Sequence, residues 1–220
     1  MPIQVKICGI NSVESADAAV RAGADFVGLV FHPRSPRNLN DAQARSLADR
    51  LRGRTRIVAL TVDPDDAALT AIAGNVKPDF IQLHGNEGAA RVSEIRSRFG
   101  RPVIKVLSVA DATDLNAARA YEAVADMLMF DAKAPVNATR EGGHGAAFDW
   151  QLLRGRTFAR PWLLAGGLNP ENVARAIAIS GAPGVDVSSG VETAPGVKSP
   201  DLIRNFIDNA RNAQFASVTP

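Results

Sequence analysis

A single cysteine among 220 residues has nothing to pair with. An internal disulfide is excluded, and a lone thiol suits a reducing compartment. Only three histidines are present, and His32, His84 and His144 are not spaced like metal ligands, so no metal is expected. Charge of either sign is in little excess, with a formal net charge of +2. Aromatics make up 5% of the chain. No basic run is interleaved with them, so nucleic acid is not an expected partner. No apolar stretch approaches the ~20 residues that span a bilayer. Met1–Cys8 runs straight into a strand-like pattern without the layout of a signal peptide. These absences lead to the expectation of a cytoplasmic protein with no membrane partner.

What the chain has in abundance is alternation. Apolar runs recur at about 3–8, 26–31, 56–62, 79–84, 102–108, 126–131, 161–166 and 184–188. Between them lie Ala-, Leu- and Arg-rich segments at 12–22, 40–52, 65–74, 87–98, 111–121, 149–154, 170–180 and 199–212. The run 57–62 is apolar on both faces, as a parallel strand covered by helices must be. Asn11, Asp65 and Asn169 are placed to cap helices, and Pro170 suits a first helical turn. Strict strand–helix repetition makes an α/β fold, and equal units favour a closed (β/α)₈ TIM barrel over an open doubly wound sheet. Periodicity by itself does not prove closure. Against the open sheet, the first strand–helix turn lacks the glycine pattern of a dinucleotide site. Composition never shifts, so one domain is expected over 1–212, with 213–220 a fraying tail. One connection is long, from Ala132 to Ala147; with Gly142, Gly143 and Gly145 it reads as a glycine-hinged lid.

Two consecutive turns suggest the ligand. Gly166 and Gly167 follow the seventh run, and Ser188, Ser189 and Gly190 follow the eighth, each with helix-compatible sequence beyond. Backbone N–H groups and a helix dipole at such turns favour an anion. The last two strands of a barrel of this kind commonly hold a phosphate there. A small phosphorylated molecule is therefore the expected partner.

Catalytic groups in such a barrel stand at strand C-terminal ends, which selects Cys8, the loop carrying Arg34 and Arg37, His84 and Asp131. The period of two turns Lys6 and Cys8 inward, opposite Val5 and Ile7. It likewise turns Met127, Met129 and Asp131 inward, opposite Leu128 and Phe130. A lone strand cysteine is more often a small buried hydrophobe than a catalyst. A cation such as Lys6 beside it would favour the thiolate and lower its pKa. Lys6 is itself expected to pair with Asp186 in the barrel centre. Asp131 could simply cap a turn. Alternatively, Met127, Met129 and Phe130 would desolvate it and keep it protonated as a general acid. Loop arginines are usually solvated, yet one of this pair could fork onto a carboxylate or phosphate. Local hydrogen bonds are the default for the histidines, with His84 a candidate for the pocket wall.

In order along the chain stand Lys6-Ile-Cys-Gly-Ile10, Ser35-Pro-Arg37, Gln82-Leu-His-Gly85, Phe130-Asp131 and Gly142-Gly-His-Gly145. Phe148-Asp-Trp150, Ala165-Gly-Gly-Leu-Asn-Pro-Glu-Asn-Val173 and Val185-Asp-Val-Ser-Ser-Gly-Val-Glu192 follow. Together these motifs resemble the phosphoribosylanthranilate isomerase family of tryptophan biosynthesis, from Lys6 to about Phe206. The resemblance implies a cofactor-free Amadori rearrangement in a (β/α)₈ barrel. It implies Cys8 as general base, Asp131 as general acid and Arg37 as the holder of the anthranilate carboxylate. It places the phosphate on Gly166, Gly167, Ser188, Ser189 and Gly190. His84, Gly143, Gly145 and Asp186 complete the expected substrate-binding set, Asp186 as an orienting residue. Many relatives carry Thr where Asn11 stands. No apolar seam on the helices decides between monomer and homodimer. Two other readings remain: a different sugar-phosphate barrel such as an epimerase, whose metal ligands are not found, and a non-catalytic sensor needing only the phosphate turns.

Overall fold

The computed structural model describes residues 2–132 and 148–216. In chain order its barrel strands are β1 (Gln4–Cys8), β2 (Phe26–Phe31), β3 (Arg56–Thr61), β4 (Phe80–Leu83), β5 (Val103–Val109), β6 (Met127–Ala132), β7 (Trp162–Leu164) and β8 (Gly184–Val187). The helices are α1 (Val13–Ala22), α2 (Asp41–Leu51), α3 (Asp66–Asn75), α4 (Ala89–Phe99), α5 (Ala118–Glu122), α6 (Val173–Ser180) and α7 (Pro200–Ala216). The sheet closes because β1 pairs in parallel with both β2 and β8, Lys6 standing opposite Phe26 on one side and Asp186 on the other. A short antiparallel hairpin, β9 (Glu192–Ala194) and β10 (Val197–Lys198), lies between β8 and α7.

Alternation sorts the side chains into two layers. Val5, Ile7, Leu128 and Phe130 pack outward in the large cluster against the helices. Phe26, Val58, Ile104, Val106, Met127, Met129 and Leu163 fill the barrel interior instead. Each such fully buried side chain contributes roughly 1.5–3 kcal/mol relative to exposure. Above that interior plug, at the C-terminal mouth, a cavity remains.

Several local expectations need correction. Ser12, not Asn11, caps α1, since Ser12 and Ser15 form a reciprocal capping box. Asn11 instead donates from Nδ2 to the Gly196 carbonyl at 2.9 Å. Asp65 caps α3 as expected, accepting from Ala68 N at 2.8 Å. Asn169 does not start a helix directly: Asn169 and Asn172 exchange side-chain-to-backbone bonds of 2.9 Å, making a closed turn before α6 begins at Val173. Pro170 thus lies in that turn rather than in the helix. The expected helix at 149–154 is a 3₁₀ turn, Trp150–Leu153. The last helix continues to Ala216, past the boundary at 212. Most of the expected lid, with Gly143 and Gly145, lies outside the described residues.

Candidate active site

The mouth holds a cavity lined, among the described residues, by Cys8 from β1, Arg37 from the loop after β2, His84 after β4, Asp131 from β6, and the two turns after β7 and β8. The sequence had placed these residues at strand ends one by one; closure of the barrel brings them together.

Beneath the cavity, Lys6 is fully buried and its Nζ donates to Asp186 Oδ1 at 2.7 Å. Burial opposes the ammonium charge, but Asp186 and then Cys8 outweigh it and hold Lys6 above its ordinary pKa. Cys8 is a free thiol with 4% of its surface exposed. Here the expectation of a lowered thiol pKa is overturned. Burial pushes the thiol above its ordinary value; Lys6 pulls it down, while Asp186 pushes it up again. A cation already paired with a carboxylate offers the sulfur only part of its field.

Asp131, next to last in β6, is buried, with Oδ2 3.2 Å from His84 Nε2. Met127 and Met129 lie on its inward side, as expected. Phe130 faces away, its ring 4.6 Å from Phe158 and 5.6 Å from Trp162, so it does not shield the carboxyl. His84 lines the cavity, as does Gln82, two residues earlier. His32, expected to bond only locally, is also part of the wall.

Arg37 and Arg34 part company. Arg34 is exposed, whereas Arg37 is buried and lines the cavity. Arg37 forks onto Glu192, Nε donating to Oε1 at 2.6 Å and Nη2 to Oε2 at 2.7 Å. Lys198 Nζ donates to Glu192 Oε1 at 2.8 Å and to the Ser188 carbonyl at 2.9 Å. Sequence reasoning missed the roles of Glu192 and Lys198. The available signal was the turn pair Pro195-Gly196 between Glu192 and Lys198, which reads as a hairpin once the eighth strand is placed.

The two turns are packed backbone against backbone. A Cβ on Gly190 would stand 1.9 Å from the Leu168 carbonyl oxygen, so only glycine lets the turn after β8 lie against the turn after β7. Gly166 and Gly167 hold φ of 87° and 65°, left-handed backbone that bends the chain around the cavity rim. Ser188 Oγ donates to the Cys8 carbonyl at 3.2 Å, tying the second turn to the end of β1. Helices do not open directly at these turns, contrary to expectation. A single 3₁₀ turn, Ser189–Val191, follows the second, and α6 begins six residues after Gly167.

Comparison with known proteins follows the same outline. The family model described as N-(5'phosphoribosyl)anthranilate (PRA) isomerase matches residues 5–209. The chain belongs to this family. N-(5'-phosphoribosyl)anthranilate isomerase of Rhodopseudomonas palustris (strain BisB18) is 57% identical over 214 residues, covering 97% of this chain and 98% of the relative. The enzyme of Paracoccus denitrificans (strain Pd 1222) is 55% identical over 210 residues, covering 96% and 98%. Among solved structures, phosphoribosyl anthranilate isomerase from Thermotoga maritima superposes with a TM-score of 0.84 at 38% identity, covering 96% of this chain and 99% of that one. Another crystal structure of the isomerase family holds reduced 1-(o-carboxyphenylamino)-1-deoxyribulose 5-phosphate, with a TM-score of 0.82, 36% identity and coverage of 96% and 99%.

Proposed function

We propose that this protein converts N-(5-phosphoribosyl)anthranilate to 1-(2-carboxyphenylamino)-1-deoxyribulose 5-phosphate by acid–base catalysis in tryptophan biosynthesis. One observation carries the reading: a buried thiol, a carboxyl group, a guanidinium and two glycine- or serine-rich turns line the same cavity. The phosphate sits on the turns at Gly166–Gly167 and Ser188–Gly190, and the anthranilate carboxylate sits on Arg37. Asp131 gives a proton to the furanose oxygen, and the C1′–O bond breaks to leave a protonated Schiff base. His84, at Asp131 Oδ2, orients that carboxyl. The iminium charge acidifies C2′–H and supplies the positive field that the buried thiolate lacks. Cys8, as the thiolate, takes the C2′ proton, and the resulting enolamine becomes the ketone as C1′ gains a proton and the C2′ hydroxyl releases one; the Cys8 thiol then returns its proton to Asp131. Every proton is accounted for, and no cofactor is called on.

The purified chain should consume phosphoribosylanthranilate prepared from anthranilate and ribose 5-phosphate, followed by loss of substrate fluorescence. Cys8→Ser and Asp131→Asn should each lower turnover by roughly 10²–10⁴ while remaining folded. Wild-type turnover in either variant would remove that residue from the chemistry, and no consumption by the parent would remove the function.

A further inference from the structure

The Arg37 guanidinium has two faces that can each fork onto a carboxylate, and the structure uses one of them. Its side-on face, Nε and Nη2, is taken by Glu192 at 2.6 and 2.7 Å. The end-on face, Nη1 with the second hydrogen of Nη2, has no acceptor among the described residues. Glu192 is fixed in turn from three directions. Lys198 Nζ reaches its Oε1 at 2.8 Å, Gly196 N reaches its Oε2 at 3.2 Å, and Arg37 holds both oxygens. Arg37, Glu192 and Lys198 have side chains only 7%, 4% and 0% exposed. Burial opposes the charge on Glu192, but Arg37 and Lys198 outweigh it and hold its carboxyl below the usual range.

We propose that Glu192, carried on the β9–β10 hairpin, is the positioning residue for Arg37, occupying the side-on fork so that the end-on fork is presented to a single ligand carboxylate. The inference rests on the reading of Arg37 as the carboxylate holder. Charge balance agrees with it: two buried cations and one buried anion leave one positive charge, matched by one aryl carboxylate. The hairpin also explains how this end of the site is kept in register with the other. Lys198 bridges Glu192 to the Ser188 carbonyl and Oγ, at 2.9 and 3.3 Å, so the clamp and the second turn share one support. The Arg37 stem is pressed on Gly9, where an added Cβ would meet its Cδ at 2.3 Å, which leaves the guanidinium little freedom other than swinging off Glu192.

The test compares two substrates, phosphoribosylanthranilate and the N-glycoside of ribose 5-phosphate with aniline, which lacks the carboxylate. Glu192→Gln should raise KM for the anthranilate compound by about 10–100-fold, with a smaller change in kcat, because ground-state and transition-state binding are lost together. On the aniline compound its kcat/KM should stay within about threefold of the parent. A general loss of structure would lower both, and that result overturns the proposal. Arg37→Ala separates the two levels of the argument. If it impairs both substrates equally, the carboxylate reading of Arg37 fails; if it discriminates while Glu192→Gln does not, only the positioning role fails.

Discussion

Gly28→Ala tests how tightly the candidate base is held. Gly28 stands opposite Cys8 in the β1–β2 ladder. A Cβ there would lie 2.8 Å from Cys8 Sγ, 3.1 Å from Cys8 Cα and 3.2 Å from Lys6 Nζ. Non-bonded heavy atoms rest at roughly 3.5–4.0 Å, so the sulfur must retreat by about 0.7 Å or more. The thiol can rotate, but the Cα cannot, because β1 is hydrogen-bonded to β2 on one side and β8 on the other. Nor can Lys6 swing aside without giving up its 2.7 Å bond to Asp186. Overpacking of this kind costs about 1–3 kcal/mol, and displacement of a reacting group by ~1 Å can cost about 100-fold in rate. We therefore expect kcat to fall by about 10–100-fold while the unfolding free energy from urea titration falls by that ~1–3 kcal/mol at unchanged slope. The matched control is Gly74→Ala in α3, where an added Cβ meets nothing within 4 Å. It should gain about 0.5–1 kcal/mol and leave kcat alone. Parental kcat in Gly28→Ala would mean that the position of the sulfur does not limit the reaction, and the argument from closeness would be wrong.

Three further outcomes follow from the site. Because burial holds the Cys8 thiol above its ordinary value of 9.0, alkylation by iodoacetamide should keep accelerating as pH rises past that value; a plateau below pH ~8.5, read by mass spectrometry, would contradict it. A raised folded pKa adds stability below the unfolded value and loses it as pH climbs through the folded one. The parent should therefore lose ground to Cys8→Ser in urea titrations above pH ~8.5, and parallel curves would refute the burial argument. Gly190→Ala must part the two turns, since its Cβ falls 1.9 Å from the Leu168 oxygen. KM and the inhibition constant for inorganic phosphate should both rise about tenfold or more, whereas unchanged phosphate inhibition would remove that turn from the anion site.

What could be read in advance followed from simple periodicity, and what could not depended on how two local effects combine. The strands were legible because runs such as Ile57–Val62 have no polar face, and the pairing of Lys6 with Asp186 because inward polar residues on adjacent strands have no other partner. The start of α6 was not legible. Asn169 and Asn172 are both good caps three residues apart, and each satisfies the other's backbone rather than a longer helix. Glu192 and Lys198 were missed because their meaning depends on a hairpin of two very short strands, folded back so that both side chains reach under Arg37. The thiol shows the same logic most sharply. Lys6 near Cys8 and Lys6 paired with Asp186 were both correct expectations, yet they oppose each other. Burial acts most strongly on the Cys8 thiol and raises its pKa; Lys6 pulls it down, but the carboxylate bonded to Lys6 at 2.7 Å offsets part of that pull, so the balance stays on the side of the thiol. In the proposed reaction Cys8 would therefore draw its activation from charge that develops on the substrate, which requires ring opening before proton removal.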